Sequence, residues 1–125
     1  MSITIGADPE FFIRDSRTGG VLSAVGTCGG TKDNPKDAGD GYYAQEDNVM
    51  VEYNIPPQTR ATPFAESIME GRSRAMQLVN AVIPDAEADD SCSRLFSGEQ
   101  LRSRQAMQFG CAPDFNAYEQ GHPLR

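Results

Sequence analysis

Ile3, Ile5, Phe11 and Ile13 alternate with polar or small residues near the start of the chain, a period of two that predicts a β-strand over 2–13. Pro9 carries no N–H, so the strand should bend or bulge there. Arg17-Thr18-Gly19-Gly20 has the composition of a turn, and 21–25 can return as the second strand of a hairpin. Periodicity then vanishes from 26 to 41 in a stretch rich in Gly, Asp, Asn, Pro and Lys. Loops of that length without secondary structure usually serve a site. Alternation resumes with Val49, Val51, Tyr53 and Ile55 on one side and Glu46, Asn48, Met50, Glu52 and Asn54 on the other, which predicts one strand over 43–55 with a strongly polar face.

Pro56-Pro57 closes that strand. Thr62 as N-cap and Pro63 at the first helical position open an amphipathic helix over 63–82, whose apolar stripe is Phe64, Ile68, Ala75, Leu78, Val79 and Val82. Pro84 stops it, and the acidic run 85–90 is most simply a solvated connector. Ser97 and Gln100 have capping-box spacing, predicting a second, short helix to about Gln108 with Gly110 as its terminator. Beyond it, 111–125 carries Pro113, Gly121 and Pro123 and should be irregular. The expected architecture is a single α+β domain over 1–125, an antiparallel sheet covered by one long and one short helix.

Composition narrows the function. At 125 residues the chain supports one core, since domains run to about 100–150 residues. Eighteen acidic against eleven basic side chains, with only Lys32 and Lys36 as lysines, exclude a generic nucleic-acid binder, which needs clustered cations to neutralise phosphates. No apolar run approaches the roughly 18 residues of a membrane span, and the first residues lack a signal-peptide pattern, so a cytoplasmic location is expected. Cys28, Cys92 and Cys111 show no CxxC spacing, and His122 is the one histidine, which argues against disulfides, zinc sites and a Ser-His-Asp triad. Cys111 has no base nearby in sequence, so no nucleophilic role is expected of it. Any metal must be held by carboxylates.

Two constellations could hold charge. Asp8 and Glu10 share one strand face, and Glu46, Asn48, Glu52 and Asn54 share another. If the two faces line one cavity, their carboxylates need cationic compensation, for which Mg²⁺ or Mn²⁺ is suited. The same residues would also serve as the wet side of an antiparallel sheet. The second constellation is Gly26-Thr27-Cys28-Gly29-Gly30-Thr31-Lys32 with Lys36, where glycine N–H groups and lysines could clamp an anion. It lacks the GxxxxGK[ST] pattern of a P-loop, and a plain loop fits it as well. A third segment, 109–118, mixes aromatics with Asp114 and Asn116 at no spacing that identifies a reaction.

GADPEFFI at 6–13, GGTK at 29–32, QEDNVMVEYNIPP at 45–57 and FGCAPDFNAY at 109–118 together resemble the phage-encoded COOH–NH2 ligase-type amidoligases, relatives of glutamine synthetase and γ-glutamylcysteine ligase. PEFF at 9–12 is similar to the metal-binding strand of glutamine synthetases. The resemblance implies an ATP- and Mg²⁺-dependent (or Mn²⁺-dependent) ligase that phosphorylates a carboxylate and lets an amine displace phosphate, giving an amide. It implies Glu10 and Glu52 as metal ligands with Asp8 and Glu46 as further acids, and Gly29, Gly30, Thr31 and Lys32 toward nucleotide phosphate. Lys32 would also serve a substrate carboxylate, and Asn48 and Asn54 would orient substrate or water.

Such ligases continue into a Gly-Gly-His-x-His type motif and further strands, which the single His122 cannot supply, so the likeness is to half of a glutamine-synthetase-like fold. Half a sheet leaves an edge to be paired. Three readings stay open: a ligase half completed by a complementary chain, a homo-oligomer sharing sites, or a non-catalytic phage structural or host-interaction protein that works in the virion or host cytoplasm. The substrates would be a small-molecule or peptide carboxylate and an amine.

Overall fold

Phe11, Ile13, Val51, Tyr53 and Ile55 are buried together on one face of a sheet, while the side chains between them, Glu10, Glu52 and Asn54, stand on the other. The fold follows from that division. In the computed structural model, which describes residues 2–108, the class is α+β, with an antiparallel sheet and one long helix. The strands are β1 (Glu10–Asp15), β2 (Val21–Leu22), β3 (Lys36–Gly39), β4 (Tyr42–Asp47), β5 (Met50–Asn54) and β6 (Ala86–Asp89). Their order is β2-β1-β5-β4-β3, with β6 also on β1. β1 is the hub: its first residues pair with β5 (Glu10 with Glu52, Phe11 with Val51), and further along β2 and β6 flank it.

Helix α1 (Ala61–Val82) covers the apolar face. Ile13, Val51 and Val79 are fully buried, each contributing roughly 1.5–3 kcal/mol of transfer free energy. Gly71 faces the ring of Tyr53 so closely that a Cβ would lie 2.6 Å from it, and the Tyr53 hydroxyl donates to the Ile68 carbonyl at 2.8 Å. The helix starts slightly earlier than expected, at Arg60 as N-cap with no side-chain cap bond, so Thr62 is not the cap. Pro63 then occupies the third helical position, where its missing N–H would have had no partner anyway. Val82, placed in the apolar stripe by sequence, is exposed.

Four further sequence expectations are corrected. The stretch 43–55 is not one strand but the hairpin β4–β5, closed by Asn48-Val49 with Asn48 at φ 58°, the positive φ that tight hairpin turns require. The loop 26–41 contains β3, joined to β4 by Asp40 (φ 53°) and Gly41 (φ 85°), the pair of positive angles that an Asp-Gly hairpin turn adopts. The acidic run is the strand β6, in which Arg14 pairs with Glu87 at 2.6 Å and buried Asp89 pairs with Arg94 at 3.0 Å.

The fourth correction concerns the short helix. The capping-box bonds form, from Ser97 N–H to Gln100 Oε1 (2.9 Å) and from Gln100 N–H to Ser97 Oγ (3.1 Å). They lead only into turns and a 3₁₀ segment at Gln105–Met107. Leu101 is followed by Arg102-Ser103-Arg104, so the segment has no apolar stripe to hold a helix on the core. The segment 109–118, Gly110, Cys111 and His122 lie outside the described residues. Among the described residues no helix is long and apolar enough to cross a membrane.

Candidate metal and phosphate cleft

The polar face of β1, β5 and β4 carries two cross-strand rows. Glu10 lies opposite Glu52, and Glu52 opposite Gln45. The ladder continues beyond β1 through Tyr53 N–H to the Pro9 carbonyl (3.0 Å) and Ile55 N–H to the Ala7 carbonyl (3.3 Å), which brings Asp8 opposite Asn54, itself opposite Tyr43. Since 9/53 is a hydrogen-bonded position, 10/52 is a non-hydrogen-bonded pair, the type in which side chains come closest, with Cα atoms about 4.5 Å apart. Asp47, at the end of β4, completes a cluster in which Glu10, Asp47 and Glu52 each offer an oxygen within 4.8 Å of the others. The cleft has a volume of about 480 Å³, and Lys32 and Pro35 are also part of its lining.

Charge in this cleft is poorly balanced. Burial, then Glu10, Asp47 and Asp8, push the Glu52 carboxyl up to about 7, although the Gln45 amide donates to it at 2.7 Å. Burial raises Glu10 as well, followed by repulsion from Asp47 and Asp8. Among the described residues, none of these three carboxylates has a Lys or Arg ion-pair partner. Like charges directly across a strand pair are destabilising, so the arrangement fits an added cation. An all-oxygen donor set is of the kind that suits hard divalent ions.

The structure brings Asp8, Glu10, Glu52, Asn54 and Lys32 to one cleft. It places the other expected residues elsewhere. Glu46 accepts from Gly26 N–H (2.7 Å), Gly29 N–H (2.7 Å) and Gln105 Nε2 (2.9 Å), so the anion clasped by the glycine-rich loop is the protein's own carboxylate. Gly30 packs against backbone, where a Cβ would collide with the Ala44 carbonyl oxygen, and Thr31 closes a turn with Asn34. The N–H groups of Gly29 and Thr31 are thus taken by partners within the chain, Glu46 and Asn34. Asn48 donates to the Ala106 (2.7 Å) and Gln108 (2.8 Å) carbonyls. Cys28 is buried near Glu46, and burial pushes its thiol up to about 11, which makes it unreactive.

Tyr43, Gln45 and Asp47 were missed by sequence reasoning. Their signal was the Asp47-Asn48 pair, a turn-former dyad that splits the alternation into a hairpin. A turn there exchanges Glu46 and Asn48 for Gln45 and Asp47 on the face that Glu52 shares. No protein-family model, curated protein or solved structure matches this chain.

Proposed function

We propose that the cleft is a divalent-metal and phosphate site, and that it serves as the metal–nucleotide half-site of an ATP-dependent carboxylate–amine ligase. The observation that carries the reading is the convergence of Glu10, Asp47 and Glu52 within 4.8 Å, with no ion-pair partner for any of them among the described residues. Glu10, Asp47 and Glu52 would hold the ion, and Gln45 orients Glu52 toward it. When bound, the ion supplies the positive charge that phosphoryl transfer to a carboxylate requires. Lys32, which lines the same cleft, would meet phosphate or the substrate carboxylate. Asn54 and Tyr43, which complete the lining, would contact the substrates. The four resembling sequence blocks support the choice of ligase over other metal-dependent phosphate chemistry.

One observation favours the non-catalytic alternative, a phage structural or host-interaction protein that kept the fold. Two N–H groups of the glycine-rich loop, those of Gly26 and Gly29, are bound to Glu46, which leaves fewer backbone donors for a nucleotide. Calorimetric titration with Mg²⁺, then with ATP in saturating Mg²⁺, separates the two. Metal-dependent ATP binding that disappears with EDTA and in Glu10→Gln and Glu52→Gln supports the ligase half-site. Metal binding without nucleotide binding favours the alternative, and no metal binding by the folded protein overturns the site.

A further inference from the structure

Asp47 is the single cluster member at a hairpin tip, and both its neighbours are tied to other parts of the chain. Glu46 is bound to the glycine-rich loop and to Gln105, and Asn48 holds the Ala106 and Gln108 carbonyls. The segment from Ser103 to Gln108 is thus a strap laid against the tip, with its own Ala106 buried. A second cavity of about 430 Å³ opens between strap and tip; its lining includes Lys32, Glu46, Asn48, Arg104 and Gln105. Lys32 also lines the acidic cleft, so the strap's cavity adjoins that cleft through the one lysine the two share.

A two-residue turn with nothing attached to its tip frays easily, because few contacts oppose local opening. Here the turn residue Asn48 sits at φ 58°, a conformation that glycine adopts freely, yet the position carries a carboxamide that makes two bonds to the strap. Its side chain therefore supplies attachment beyond what the turn itself requires. We propose that Asn48 is a positioning residue for the metal cluster: by latching the strap to the hairpin tip it holds the Asp47 carboxylate in reach of Glu10 and Glu52, so strap docking regulates metal affinity. This deepens the metal reading above and rests on it. Partners of metal ligands that fix their orientation commonly carry about 10–100-fold in affinity.

The test uses the full chain and Asn48→Gly, which keeps the positive φ and removes both strap bonds. Mn²⁺ affinity, read by paramagnetic resonance, should weaken about tenfold or more in Asn48→Gly. In an Asp47→Asn background the same substitution should add less than about twofold, because it acts through Asp47. The ¹⁵N order parameter of Asp47 should fall in Asn48→Gly without metal. Gln105→Ala, cutting the strap bond on the Glu46 side, should reproduce part of both effects. Equal loss of Mn²⁺ affinity in both backgrounds, or unchanged affinity and order parameter, overturns the proposal. If the wild-type chain binds no Mn²⁺ while the Asp47 order parameter still falls, the metal reading fails and the positioning of Asp47 stands.

Discussion

Glu10 and Glu52 face each other across adjacent antiparallel strands at a non-hydrogen-bonded position, with Asp47 closing a triangle of oxygens within 4.8 Å. A folded protein that puts like charges at such a position carries a strain that either protons or a cation must relieve. Mg²⁺ should therefore stabilise the fold: at a concentration about 100 times its Kd the expected gain is about 2.7 kcal/mol. Urea unfolding with Mg²⁺ and with EDTA measures it, and Asp47→Asn should remove most of the difference.

Protons act on the same triangle. Burial and the neighbouring carboxylates push Glu52 from an ordinary 4.5 up to about 7 in the folded state, so the folded chain binds this proton more tightly than the unfolded one. Its contribution is fully present below pH 4.5 and is lost as pH rises through about 7. Metal-free stability should fall by about 1–2 kcal/mol across that window, after allowance for solvent screening at the open cleft. In Glu52→Gln this component should flatten, and that variant should be the more stable one at pH 8 without metal; a wild-type curve no steeper than that of the variant would refute the assignment.

Glu46 provides a contrast within the same hairpin. Its carboxylate satisfies two backbone donors and one amide, and hydrogen bonds to a charged group are worth about 1.5–3 kcal/mol each. Glu46→Ala should destabilise the fold by about 3 kcal/mol or more in chemical unfolding. Glu52→Ala, by comparison, should relieve repulsion and remove metal binding. A stability loss larger for Glu52→Ala than for Glu46→Ala would reverse the roles given to the two residues.

Gly71 tests the packing of α1 on the sheet. Alanine has the better helix propensity by about 1 kcal/mol, but its Cβ would lie 2.6 Å from a Tyr53 ring held by its hydroxyl bond to Ile68. Overpacking of about 1–3 kcal/mol should outweigh the propensity gain, so Gly71→Ala is expected to lower Tm. A higher Tm would mean that the Tyr53 ring can shift.

What the sequence determined by itself is the part governed by local period and by charge. The long helix, the acidic character and the presence of Asp8, Glu10, Glu52 and Asn54 on polar strand faces follow from spacing along the chain. Only tertiary structure decided which polar residues meet. One turn at Asn48-Val49 moves Gln45 and Asp47 to the cleft and turns Glu46 and Asn48 to other work, because side chains alternate with period two and a turn restarts the alternation. Likewise β6 is an acidic segment that no strand propensity recommends, and it is a strand because β1, remote in sequence, pairs with it and brings Arg14 to Glu87, while nearby Arg94 meets Asp89. The capping box at Ser97 formed its bonds without producing a helix, since a cap fixes where a helix can begin and only a buried apolar face sustains it.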